Sequence, residues 1–146
     1  MTAGYSGTAL AKKLGIREGF AIRLVQQPVY YFELFTDFPP NIAIVNDIRK
    51  PKDLIHYFTT NAASLSKDIP RLKKEIKQDG MIWISWPKKA SKVATDMTED
   101  IIRATALKNG LIDIKVCAID TTWSGLKLVI PLKSRHGKKS TSPSIF

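Results

Sequence analysis

Residues Ile69 to Lys89, IPRLKKEIKQDGMIWISWPKK, constrain the fold more than any other part of the chain. Ala62, Leu65, Ile69, Leu72 and Ile76 fall three and four apart, which lays an apolar stripe along a helix whose other face is mostly charged. Pro70 lies inside that stripe, so the helix either kinks there or begins near Asp68 with the proline in its first turn. Asp79-Gly80 then signals a tight turn. Met81 to Trp86 is a nearly continuous apolar run closed by Pro87, which cannot donate to a central ladder. A strand of this kind is covered on both faces, so the pattern predicts a three-layer α/β protein with a mainly parallel sheet. In such sheets ligands bind beyond the carboxyl ends of the strands, which makes the Trp86-Pro87-Lys88-Lys89 exit a candidate site.

A chain of 146 residues, 44% of them hydrophobic, suffices for one core and not for two. We expect a single domain over residues 1–132 and a basic, disordered tail over 133–146, where KSRHGKKSTSPSIF has no apolar period. No apolar run approaches the roughly 20 residues of a membrane-spanning helix. The N-terminus lacks the apolar stretch of a secretory signal, and the one cysteine, Cys117, has no internal disulfide partner. A cytoplasmic protein without membrane association is the expectation. The net charge of +10 favours anionic partners, and it is spread along the chain rather than gathered in one block.

The other elements are read the same way. Ser6 is placed to cap a short helix over Thr8 to Leu14, with Gly15 and Ile16 as its stop. Gly19 opens a strand, Phe20 to Val25, that ends at Gln26-Gln27-Pro28. Val29 to Phe35 reads as a short buried helix, followed by strands at Ile42 to Val45 and Leu54 to Thr59. Asn46 to Asp53 between those strands is shorter than the dozen or so residues of a usual parallel crossover, so either the link runs extended along the sheet or one early strand is antiparallel. Asp96 with Glu99 fits a capping box for a helix from about Met97 to Lys108, stopped at Asn109-Gly110. Alternation over Ile112 to Ala118 and Leu126 to Ile130 predicts a C-terminal antiparallel hairpin.

Strand, helix, Asp-Gly, strand, capped helix and a closing antiparallel pair form an order that resembles the second half of the Rossmann-like methyltransferases that use S-adenosylmethionine. DLIHYFTT through LKLVI, about half of the chain, carries that resemblance. The strings SGTALAKKLGI, SWPKKAS, TDMTEDIIR and KVCAIDTTWSGLK are also similar to an uncharacterised bacterial family known as a domain of unknown function, which brings a fold without an activity. The methyltransferase resemblance implies a glycine-rich loop after the first strand, where backbone approaches the cofactor closely. This chain has Val25-Gln26-Gln27-Pro28-Val29 there, and no glycine between Phe20 and Asp79. The same absence excludes a dinucleotide fingerprint and a P-loop. Asp47 occupies a position suited to a ribose hydroxyl, although an Asn-Asp pair leaving a strand is more often simple turn chemistry.

The strand ends gather candidate ligand-binding residues: Gln26, Gln27, Thr59, Trp86, Lys88, Lys89, Ser91, Thr95, Trp123 and Lys127, with Asn46, Thr60 and Lys92 beside them. Lysines and helix-start amides suit an anionic ligand or nucleic acid, and the tryptophans offer stacking faces. Against this stands a plain reading in which the lysines are solvated, Thr95 and Asp96 cap a helix and the tryptophans fill the core edge. His56 and His136 lack partners at metal-ligand spacing, Cys117 lacks an adjacent base, and Ser124 sits in a Trp-Ser-Gly turn without a nucleophile elbow. These features predict no cofactor, no metal and no catalytic residue. They point to a non-enzymatic binding or regulatory module with a shortened methyltransferase-like fold; a divergent methyltransferase and a structural homo-oligomer are the alternatives.

Overall fold

A computed structural model describes residues 9–135. Its centre is a six-stranded sheet of β1 (Ala21–Val25), β2 (Ala43–Ile44), β3 (Lys52–Phe58), β4 (Ile76–Pro87), β5 (Ile112–Ala118) and β6 (Trp123–Val129). The order across the sheet is β2-β1-β3-β4-β6-β5. The first four strands are parallel, and the hairpin of β5 and β6 joins antiparallel to β4. Helices α1 (Leu10–Leu14), α2 (Ala62–Glu75) and α3 (Glu99–Lys108) cover the two faces. The expected Rossmann-like sheet, mainly parallel with a C-terminal antiparallel hairpin, is therefore present. No helix among the described residues is long and apolar enough to cross a membrane.

Strand alternation divides β3 between two cores. Ile55 and Tyr57 face α2 and α3 with Leu65, Ile69, Leu72, Ile82, Ile84 and Ile102, while Leu54 and Phe58 face α1 with Leu14, Ile22, Tyr31 and Trp83. Trp83 donates its indole N–H to the Leu14 carbonyl at 2.9 Å, which fastens α1 to the centre of the sheet. Gly15, at φ 82°, ends α1, and the amide of Ile16 returns to the Ala11 carbonyl at 2.9 Å.

One open alternative is decided and several expectations are corrected. Helix α2 starts at Ala62, where the Asn61 side chain accepts the Ser64 N–H at 2.9 Å, so of the two openings the one with Pro70 inside the helix is found. Asp79-Gly80 is no free turn: it belongs to an irregular stretch of β4, in which the partners of Lys52 and Leu54 are Ile76 and Met81. A Cβ at Gly80 would stand 3.0 Å from the Lys52 carbonyl oxygen, so close backbone approach explains this glycine. Helix α3 is capped by Thr98, which accepts the Ile101 N–H at 3.1 Å, and Asp96 instead accepts the N–H of Ala62 at 2.8 Å. The expected buried helix at Val29 to Phe35 is a single 3-10 turn, Tyr31–Leu34, in which only Tyr31 is buried. Ser6, His136 and residues 136–146 of the expected tail lie outside the described residues.

The short link before β3 needs no reversed strand. β2 has two residues, paired to Ala21 and Ile22 at the start of β1, and Ile44 and Leu54 are both level with Ile22. The chain retreats by two residues and crosses one strand, a gap of about 10 Å. Seven residues cover that easily, at up to about 3.3 Å each.

Candidate functional site

The parallel strands change their direction of progression between β1 and β3: after β1 the chain adds β2 on one side, then β3 and β4 on the other. The crevice at the carboxyl ends there is where open α/β sheets bind ligands. In this chain it is a cavity of about 370 Å³, formed by Val25 and Gln26 at the end of β1, Tyr57 to Thr60 at the end of β3, Asn61, Ser64 and Asp68 at the start of α2, and Trp123. That volume lies within the range of small-molecule and cofactor sites.

Each wall has a local cause. Gln26 has φ 59°, a left-handed conformation, so the chain makes without glycine the sharp exit that a glycine would make without strain. Thr59 donates its hydroxyl to the Asn61 carbonyl at 3.2 Å and accepts the Asn61 N–H at 3.0 Å, which shapes the entry into α2. Asn61, Ser64 and Asp68 are spaced three and four apart and share one face of that entry. The Tyr57 hydroxyl donates to Asp68 Oδ2 at 2.7 Å, and the Arg71 guanidinium lies 3.4 Å from Oδ1. Burial, then the bond to Asp68, raises the Tyr57 phenol above its ordinary range, so it stays a donor. Trp123 packs edge-on against Phe58, with ring centroids 5.1 Å apart. Its amide, with that of Thr122, donates to Asp120 Oδ1. The cavity thus combines hydroxyls, two side-chain amides, an oriented carboxylate and an indole, a set that can receive a polar ligand carrying a flat ring.

Of the candidates named from sequence, Gln26, Thr59 and Trp123 meet in this cavity, with Thr60 beside them. Gln27 is exposed and does not line it. Lys88 and Lys89 lie on the connection after β4, which is tied to the cavity's surroundings by the Lys88 N–H on the Thr122 carbonyl at 2.8 Å. Ser91 and Thr95 hold that connection in shape: Ser91 donates to the Lys88 carbonyl at 2.6 Å and Thr95 to the Thr60 carbonyl at 2.7 Å. Trp86 is a core residue on the α2 and α3 side, because alternation in β4 turns it inward with Ile82 and Ile84, and it offers no stacking face. Lys127 stands in mid-strand opposite Trp83, away from the strand ends. Asp47 is bound to Arg49, which holds its carboxyl below the usual range, and does not line the cavity. Sequence reasoning missed Asn61, Ser64 and Asp68; with α2 begun at Ala62 instead of Asp68, their common face is legible.

Gln26→Gly is expected to leave the fold intact and raise its stability by up to about 1 kcal/mol, since the left-handed strain of a side chain is removed against glycine's larger unfolded entropy. Gln26→Val is expected to lower it. Urea midpoints measured side by side check this, and a Gly variant less stable than the Val variant would refute the strained geometry.

No family model matches the chain, and no curated protein does. Solved structures do. A protein of Sulfolobus solfataricus assigned to the type 11 methyltransferases superposes with TM-score 0.62 at 14% identity, covering 87% of this chain and 92% of its own. A ribosomal protein L11 methylase of Lactobacillus delbrueckii subsp. bulgaricus gives 0.57 at 12%, covering 82% and 73%. An SAM-dependent methyltransferase of Aquifex aeolicus gives 0.56 at 15%, covering 82% and 87%. The chain has a methyltransferase-like Rossmann fold. The expectation of a non-enzymatic module is corrected by this likeness: the three structures that share the fold over most of both chains are described as methyltransferases. The missing glycine loop had argued otherwise, but the crevice it would line is open, walled by the end of β3 and the start of α2.

Proposed function

We propose that this protein is a divergent S-adenosylmethionine-dependent methyltransferase whose cofactor site is the cavity between β1, β3 and α2. The observation that carries the reading is the cavity's position at the switch point of a sheet whose solved neighbours include an SAM-dependent methyltransferase. The lining fits such a cofactor in size and chemistry. Trp123 would lie against the adenine, Asp68 would accept from hydroxyl or ammonium groups, and Thr59, Thr60, Asn61 and Ser64 would satisfy the remaining polar edges. When bound, the cofactor supplies an electrophilic methyl group. The protein's own contribution is to fix that molecule and to hold the Asp68 carboxylate in place through Tyr57 and Arg71. The likeness of SGTALAKKLGI and SWPKKAS to an uncharacterised bacterial family accords with this reading and adds no activity to it.

Thermal unfolding with S-adenosylhomocysteine, the stable product form, tests the proposal. At about 100 times the dissociation constant the ligand should stabilise the fold by about 2.7 kcal/mol, and Trp123→Ala and Asp68→Asn should each weaken binding about tenfold or more. A flat calorimetric titration together with an unmoved Tm at millimolar ligand would refute it.

A further inference from the structure

The β5–β6 hairpin carries a charge arrangement that the proposed cofactor site does not use. Lys115 and Lys127 stand directly opposite each other in the antiparallel register, on the face shared with Trp83 and α1. Side chains so placed have Cβ atoms about 5 Å apart, and like charges in this position destabilise a sheet. Among the described residues neither lysine has a carboxylate within ion-pair distance. Asp113, the nearest acid in sequence, is carried to the other face by the irregularity between it and Lys115, and binds Arg103 Nε at 3.0 Å. Asp120 is taken by the Tyr30 hydroxyl and two backbone amides. Lys13 of α1 adds a third cation toward the turn of the hairpin, its Nζ 3.3 Å from the Ala118 carbonyl oxygen. Burial, then the facing charge of Lys115, lowers the Lys127 ammonium from its ordinary pKa.

We propose that this hairpin face binds the phosphate backbone of a nucleic acid. A nucleic-acid strand repeats its charge about every 3.4 Å of axis, so the flexible stems of one opposed lysine pair can engage neighbouring phosphates, which a single small anion does not offer. The net charge of +10 supplies the long-range attraction. Binding neutralises the repulsion that the free protein carries.

The test is anisotropy of fluorescein-labelled oligothymidylate with the full chain between about 50 and 200 mM salt. Affinity of the unaltered protein should fall with salt, and Lys115→Gln with Lys127→Gln should reduce the slope of log K against log salt by about 1.4, at about 0.7 per lost contact with a single strand. The Tm of that variant should hold or rise, because a repulsive pair is removed, so lost binding would not reflect unfolding. Lys88→Ala with Lys89→Ala should keep the slope. The proposal is overturned if the hairpin variant keeps the full slope, if only the Lys88 and Lys89 variant loses it, or if phosphatidylserine vesicles bind the protein more tightly than the oligonucleotide does. Cofactor binding is read separately, so failure here leaves the methyltransferase reading standing, and the converse holds.

Discussion

Glu75→Ala is expected to destabilise the protein by about 3–5 kcal/mol, because it leaves a buried cation without its counter-ion. Glu75 closes α2 with its side chain 2% exposed, and it accepts from Lys52 Nζ at 2.9 Å and from the Arg23 guanidinium at 2.6 and 2.7 Å. Lys52 is fully buried, and besides Glu75 its ammonium reaches the Asp47 carbonyl at 2.6 Å. Arg71 stands 3.9 Å off on the preceding turn. One carboxylate therefore joins β1, β3 and α2 at the amino end of the sheet. The loss is a large fraction of the roughly 5–15 kcal/mol by which folded domains are stable. Replacing the cluster together, Glu75→Leu with Lys52→Met and Arg23→Met, is expected to recover most of it, since buried ion pairs are offset largely by their own desolvation. Urea denaturation of the three proteins decides: a single variant that loses under about 1 kcal/mol would show that the cluster is solvated and contributes little.

The second large effect depends on pH. His56 is fully buried on β3; its Nδ1 lies 2.8 Å from the Tyr31 hydroxyl and its Nε2 2.8 Å from the Ser85 hydroxyl. Burial pushes its pKa down from 6.5 to about 3. In the unfolded chain the imidazole takes up a proton as the pH falls through 6.5, whereas the folded protein resists this until about pH 3. The unfolded state therefore binds more protons across that window, so stability is full above pH 6.5 and falls by up to about 1.4 kcal/mol per unit as the pH is lowered. His56→Gln removes the titration and keeps a polar group between Tyr31 and Ser85. Its stability at neutral pH should be lower, and its acid arm between pH 6 and 4 flatter than that of the unaltered protein by about one proton. Parallel acid arms for the two proteins would refute the assignment.

Both effects rest on residues whose importance the sequence conceals. Glu75 reads as one more charge at the end of LKKE, and His56 as a polar interruption in LIHYF. Arg23 and Glu75 lie 52 positions apart, so their pairing is set by strand order and not by local pattern. The candidate site divides likewise. Gln26, Thr59 and Trp123 were legible as strand-end residues, while Asp68 was masked by Pro70, which drew the helix start toward it.

What the sequence determined by itself was periodic. The apolar stripe of α2, the doubly covered β3 and β4, the glycine stop of α1 and the alternating hairpin follow from side-chain spacing along one element, which needs no knowledge of its neighbours. What only the tertiary structure decided was convergence. β2 shrinks to two residues, and the short link before β3 follows from that. The left-handed Gln26 opens the crevice that its missing glycines seemed to close, and the sheet register sets Lys115 against Lys127. Each depends on which strands lie side by side and where they end, and these are set by the packing of the whole sheet rather than by any local run of residues.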